Sequence, residues 1–199
     1  NRTKAFIDKL LLHDIDVYES GNRFVIPTKQ PQYRMVQTMF ETYSKYRDSV
    51  YYDASAWSVA NFYNMKYKPV TSLNMGEKVE STDDPVKVSA VQKSEYAYIL
   101  DWDDYNAPAA LNYLQTNGLV LSSAFKPFTV KVGGDAKSFS YGTMVLPVSL
   151  QKKSSQEVYG LVQKAQQKYQ VPMYAVNSGY SVKGIDLGSG NVRPIKKVK

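Results

Sequence analysis

Asp101-Trp102-Asp103-Asp104 puts three carboxylates beside an indole, and Tyr105-Asn106 extends the polar, aromatic run. The cluster directly follows the apolar stretch 96–100, which reads as a strand, so it stands at that strand's carboxyl end. Open α/β sheets bind ligands there. An oxygen-rich triple of this kind suits a hard cation such as Ca²⁺. An EF-hand is excluded, because Tyr105 stands where a ligand belongs, Asn106 where Gly belongs and Asn112 where Glu belongs. The competing reading makes Asp103, Asp104 and Asn106 helix caps and lets Trp102 pack.

Tyr52-Asp53-Ala54-Ser55-Ala56-Trp57 repeats the theme, with Asp53, Ser55 and Trp57 as ligand candidates and a strand-to-helix cap as the alternative. Asp53 and Asp101 could in principle form a glycosidase pair, but their separation is not readable from sequence.

Other chemistries are closed. A catalytic zinc site draws three ligands from His, Cys, Asp and Glu, usually two or more of them His or Cys; this chain has one histidine, His13, and no cysteine. A Ser-His-Asp triad would have to use the same His13, and no G-x-S-x-G elbow accompanies it. An amidotransferase nucleophile and disulfides are excluded with cysteine. No phosphate loop occurs, and Gly188-Ser189-Gly190 fails the dinucleotide fingerprint because Arg193 stands at its third glycine.

The elements that must position these clusters are read from periodicity. Phe6 with Leu10 and Ile7 with Leu11 share a helical face; Ile15 and Val17 then alternate with Asp14 and Asp16 as a half-buried strand. Gly21-Asn22 turns the chain into a second strand at 23–26. Pro31 opens an amphipathic helix carrying Met35, Val36, Met39, Phe40 and Tyr43. A short strand at 50–52 leads to a helix capped by Asp53 or Ser55 and carrying Val59, Phe62 and Tyr63. Residues 64–95 read as an irregular excursion with one strand at 86–88.

The second half is more regular. The strand 96–100 leads to a helix with Asn106 as cap, Pro108 in its first turn, Ala107, Leu111 and Leu114 inside and Asn117-Gly118 as its end, then to a strand at 119–121. A hairpin is expected around Gly133-Gly134, flanked by 128–130 and 139–141. The strand 142–148 precedes a capping box, Ser154 with Glu157, a helix lined by Val158, Leu161, Val162, Ala165 and Tyr169, and a strand at 172–176. Two β-α-β patterns predict an α/β fold with a mainly parallel sheet and helices on both faces.

The length of 199 residues fits one domain, taken as 1–190, with a basic tail or severed linker at 191–199. A net charge of +7 would suit nucleic acid, but Arg193, Lys196, Lys197 and Lys199 supply four of those charges, so a nucleic-acid partner is not expected. The 17 tyrosines suit amphipathic packing, or alternatively a peptide or carbohydrate groove. No run approaches the roughly 18–20 apolar residues of a membrane span. The chain begins with Asn1 and reads as cut from something longer.

Five segments in order carry a family resemblance: 27–34 (PTKQPQYR), 52–57 (YDASAW), 98–105 (YILDWDDY), 126–128 (KPF) and 184–188 (GIDLG). The run, spanning nearly the whole chain, resembles the region downstream of the catalytic domain in large bacterial zinc carboxypeptidase-like proteins of the carboxypeptidase A type. The resemblance implies a non-catalytic accessory domain of a secreted or periplasmic metallocarboxypeptidase. Its partners would be the catalytic and following domains of its own parent, with a three-layer fold of class I glutamine amidotransferase-like or flavodoxin-like type. It implies zinc for the parent alone. The family's H-x-x-E motif has no counterpart, because Asp16 stands three residues after His13, so no catalytic or metal-ligating residue carries over. The alternative function is a peptide- or glycan-binding module using Asp53, Ser55, Trp57 and the run from Asp101 to Tyr105.

Overall fold

The helical spacing of Phe6, Ile7 and Leu10 is realised in α1 (Arg2–Leu12), which buries all three. It opens a computed structural model that describes residues 1–42, 58–72, 74–82 and 88–197. These form two units, Arg2–Asp84 and Pro85–Lys199, with Asn1 belonging to the second.

In the N-terminal unit the chain leaves α1 through Asp14 at φ 56° and buries Ile15 and Val17 on its way into β1 (Tyr18–Glu19). Gly21 at φ 62° turns it into β2 (Phe24–Val25). The remaining elements are α2 (Tyr33–Phe40), α3 (Val59–Phe62) and β3 (Glu77–Lys78), with β1 antiparallel to both β2 and β3. Gln30, in the PTKQP segment, pins this turn: its Oε1 accepts from Asp16 N at 2.8 Å and its Nε2 donates to Pro27 O at 2.5 Å. The core joins Phe6, Ile7, Leu10, Ile15, Val17, Val36, Met39 and Ala60.

Some expectations shift here. The second helix starts two residues after Pro31, with Gln32 as its cap residue. The third begins after Ser58 at φ 56°, and Phe62 is 75% exposed instead of facing inward. The strand expected at 50–52, the caps Asp53 and Ser55, Tyr43 and most of 86–88 lie outside the described residues.

The C-terminal unit runs β4 (Ala97–Leu100), α4 (Ala107–Thr116), β5 (Ser122–Ala124), β6 (Phe128–Val132), β7 (Asp135–Phe139), β8 (Met144–Pro147), α5 (Ser155–Tyr169), β9 (Met173–Val176), β10 (Lys183–Gly184) and β11 (Val192–Pro194). The expectation of a mainly parallel three-layer α/β sheet, amidotransferase-like or flavodoxin-like, is overturned. The five-stranded sheet has the order β11-β5-β8-β4-β9, and every pairing in it is antiparallel. The second sheet, β10-β6-β7, is antiparallel too.

Both β-α-β units exist, but each is split. β4 and β5, joined by α4, run the same way with β8 between them; β8 and β9, joined by α5, run the same way with β4 between them. This interleaving is the split β-α-β topology of ferredoxin-like folds, here with a β6–β7 hairpin inserted and two strands added. A helical crossover sets the direction of the returning strand. It does not set which strand occupies the gap.

The faces differ as well. Tyr98, Leu100, Met144, Leu146 and Met173 point to one face, where α4 and α5 cover them. Ala97, Ile99, Val145 and Val176 point to the other, where Phe128, Val130 and Phe139 of the second sheet cover them. Helices therefore lie on one face and a sheet on the other, so the central strands are apolar on both sides without being parallel. The strand expected at 119–121 begins instead at Ser122, because the Gln151 amide takes Val120: Oε1 accepts from Val120 N and Nε2 donates to Val120 O, both at 2.9 Å. Val192–Pro194, in the basic C-terminal stretch, pairs with β5. The hairpin turns at Gly133-Gly134, at φ 60° and 102°, as a two-residue loop needs.

Candidate functional site

β4 is buried along its whole length, so Asp101 is the first residue able to leave the sheet. The chain turns there through a corner built by its own acids. Asp101 Oδ1 accepts from Asp103 N at 3.2 Å, and Asp104 Oδ1 accepts from Asn106 N at 2.8 Å. These are successive Asx turns, the local bond that makes aspartate favourable outside helices. Asp104 also receives Asn1 Nδ2 on both oxygens at 3.1 Å, and Asp103 Oδ1 accepts from Ser140 Oγ at 3.1 Å.

Asn106 sits at the start of α4 without a side-chain capping bond; its Nδ2 donates to Tyr169 O at 2.8 Å and ties α4 to the end of α5. Trp102 is half-buried against the helix-side core. Its indole lies over Gly142, at φ 82°, where a Cβ would collide with it. Tyr105 is 47% exposed.

Continuing the β4–β8 register one step sets Thr143 opposite Asp101. Among the described residues, Thr143 Oγ1 is the buried side-chain polar atom without a hydrogen-bond partner. It is sealed from solvent, so no ligand of solvent size reaches it.

The five C-terminal candidates, Asp101 to Tyr105, thus share one corner. Asp53, Ser55 and Trp57, and with them the candidate Asp53–Asp101 pair, lie outside the described residues. No three His, Asp or Glu side chains among the described residues come together to hold a metal ion. His13 is exposed just beyond α1. No described helix is long and apolar enough to cross a membrane.

Two residues that carry no motif in the sequence are structurally central. Ser94 is 1% exposed and Gln166 5% exposed. Gln166 lies one helical turn after Val162, a signal that its amide faces inward. The Tyr98 hydroxyl, which accepts from Ser94 N at 2.9 Å, has its pKa pushed up by burial. In the GIDLG segment, Asp186 Oδ1 accepts from Ser181 N at 2.8 Å and closes the loop before β11.

Comparison of the chain with family models, curated proteins and solved structures returns no match.

Proposed function

We propose that this chain is a non-catalytic accessory part of a larger bacterial zinc metallocarboxypeptidase, a secreted or periplasmic protein that removes C-terminal residues from peptides. The observation that carries this reading is the use of the acidic corner. The segment with most of the sequence signs of a ligand site spends its carboxylates on its own turns, on Asn1 and on Ser140. Two other resembling segments hold comparable scaffold bonds, through Gln30 and Asp186. Zinc and catalysis would belong to the parent's catalytic domain, and the partners would be the neighbouring domains of that parent.

The test is a hydrolysis assay on C-terminally blocked and free peptides with added Zn²⁺. The isolated chain is expected to release no C-terminal amino acid, whereas the full reading frame should do so. Zinc-dependent release by these 199 residues alone would overturn the proposal. The alternative, a peptide- or glycan-binding module, draws support from exposed Tyr105 at the acidic corner and exposed Tyr141 next to Gly142. Saturable binding abolished by Tyr105→Ala would favour it.

A further inference from the structure

The buried face of α5 carries an amide whose two ends are spent on one stretch of chain outside the helix. Gln166 Oε1 accepts from Val91 N at 2.9 Å, and its Nε2 donates to Ser89 O at 3.1 Å. Two turns earlier, Tyr159 donates its hydroxyl to Val91 O at 3.2 Å, and Gln163 Nε2 donates to that hydroxyl at 2.9 Å. At the far end of the stretch Ser94 is tied to the sheet. Its Oγ donates to Val176 O at 2.6 Å and its N donates to the Tyr98 hydroxyl.

Residues 88–94 make no backbone–backbone hydrogen bond among the described residues. Val91, 4% exposed, is the apolar side chain they bury, in the helix-side core. Side chains of α5 and β4, instead of a strand ladder, hold this stretch in place.

We propose that residues 88–93 form a strap that opens as a unit from the Ser94 anchor without unfolding of the sheet, with Gln166 as its latch and Val91 as its plug. A segment with one buried apolar side chain and no ladder stands at the low end of local stability. Its closure depends on the latch, because loss of the Gln166 amide leaves the buried Val91 N without its partner and releases Ser89 O to solvent. Opening lifts Val91 out of the helix-side core.

Two readouts on the whole chain test this: hydrogen exchange at the Val91 amide, and tryptic cleavage after Lys93, which lies in the strap with an exposed side chain. In the wild type, Val91 should exchange faster than Ile99 in β4. Gln166→Leu should raise both readouts by about 10- to 100-fold, with a much smaller change at Ile99. Tyr159→Phe removes one bond to the strap, and the one from Gln163 to that hydroxyl, and leaves the core filled. It should raise both by about 3- to 10-fold, and it carries the test if Gln166→Leu does not fold. Val91 and Ile99 exchanging at one common rate in wild type and Tyr159→Phe would overturn the proposal, as would cleavage at Lys93 that neither substitution accelerates.

Discussion

The two units use β-structure in opposite ways. In the N-terminal unit each described strand is two residues long, and β1 meets each neighbour through two residue pairs. Its core is supplied mainly by α1, α2 and the approach to β1, so the small sheet works as a clasp on a helical core. In the C-terminal unit β4 meets both neighbours through four residue pairs and is covered by helices on one face and by a second sheet on the other. There the sheet is the core. Strand residues in the first unit can change at little cost, whereas those in the second are packed twice over.

The sharpest way to break that contrast is a pair of cavities. Leu100→Ala in β4 and Leu10→Ala in α1 each remove a side chain at most 1% exposed and should each cost about 2–5 kcal/mol. Hydrogen exchange should show each loss in its own unit, while Tyr18→Ala in half-buried β1 should cost far less than Leu100→Ala. Equal losses from Tyr18→Ala and Leu100→Ala would dissolve the distinction.

Glycines at positive φ give the next largest effect. At Gly142, φ 82°, a side chain meets the Trp102 indole, so Gly142→Val should cost about 1–3 kcal/mol and displace Trp102, read by chemical denaturation and tryptophan fluorescence. At Gly21, φ 62°, the space is open, and Gly21→Ala should carry only the backbone strain, about 1 kcal/mol.

Helix starts give the smallest. α5 has a complete capping box: Ser154 Oγ accepts from Glu157 N at 3.3 Å while Ser154 N donates to Glu157 Oε2 at 2.8 Å. α2 has no side-chain cap. Ser154→Ala should cost about 1 kcal/mol in thermal unfolding, and Gln32→Ala should change little. The bonds from the Ser154 side chain and backbone hold the Glu157 carboxyl below its ordinary pKa. A lowered folded pKa stabilises at neutral pH, and that stabilisation fades as the pH falls through it. The advantage of wild type over Glu157→Gln should therefore shrink below about pH 4. A gap that widens in acid would contradict the capping geometry.

Legibility followed the distance between partners. The Ser154–Glu157 box was readable because both members lie within one turn, and the β6–β7 hairpin because two adjacent glycines mark its loop. Asn106 read as a cap from its place before Ala107 and Pro108, but its amide finds Tyr169 O, 63 residues away. Gln151 and Gln166 carry no motif; apart from Pro147 O, which Gln151 reaches within four residues, their partners Val120, Ser89 and Val91 are 31 to 77 residues distant. The acidic corner was half legible. Capping and ligand contact both suited its composition, and the geometry uses its acids in turns, a bond to Asn1 and a bond from Ser140.

By itself the sequence determined the local elements and the chemistries closed to this chain. Hydrophobic period selects helix or strand, caps and glycines end them, and one histidine without cysteine excludes thiol catalysis and a His/Cys-rich zinc site. Only the tertiary structure decided how the strands interleave. An apolar strand such as β4 is equally content beside parallel or antiparallel neighbours, because burial on two faces is all its composition records. The antiparallel order arises from β8 and β4 each filling the gap left by the other's crossover, a choice made by contacts nearly 50 residues apart.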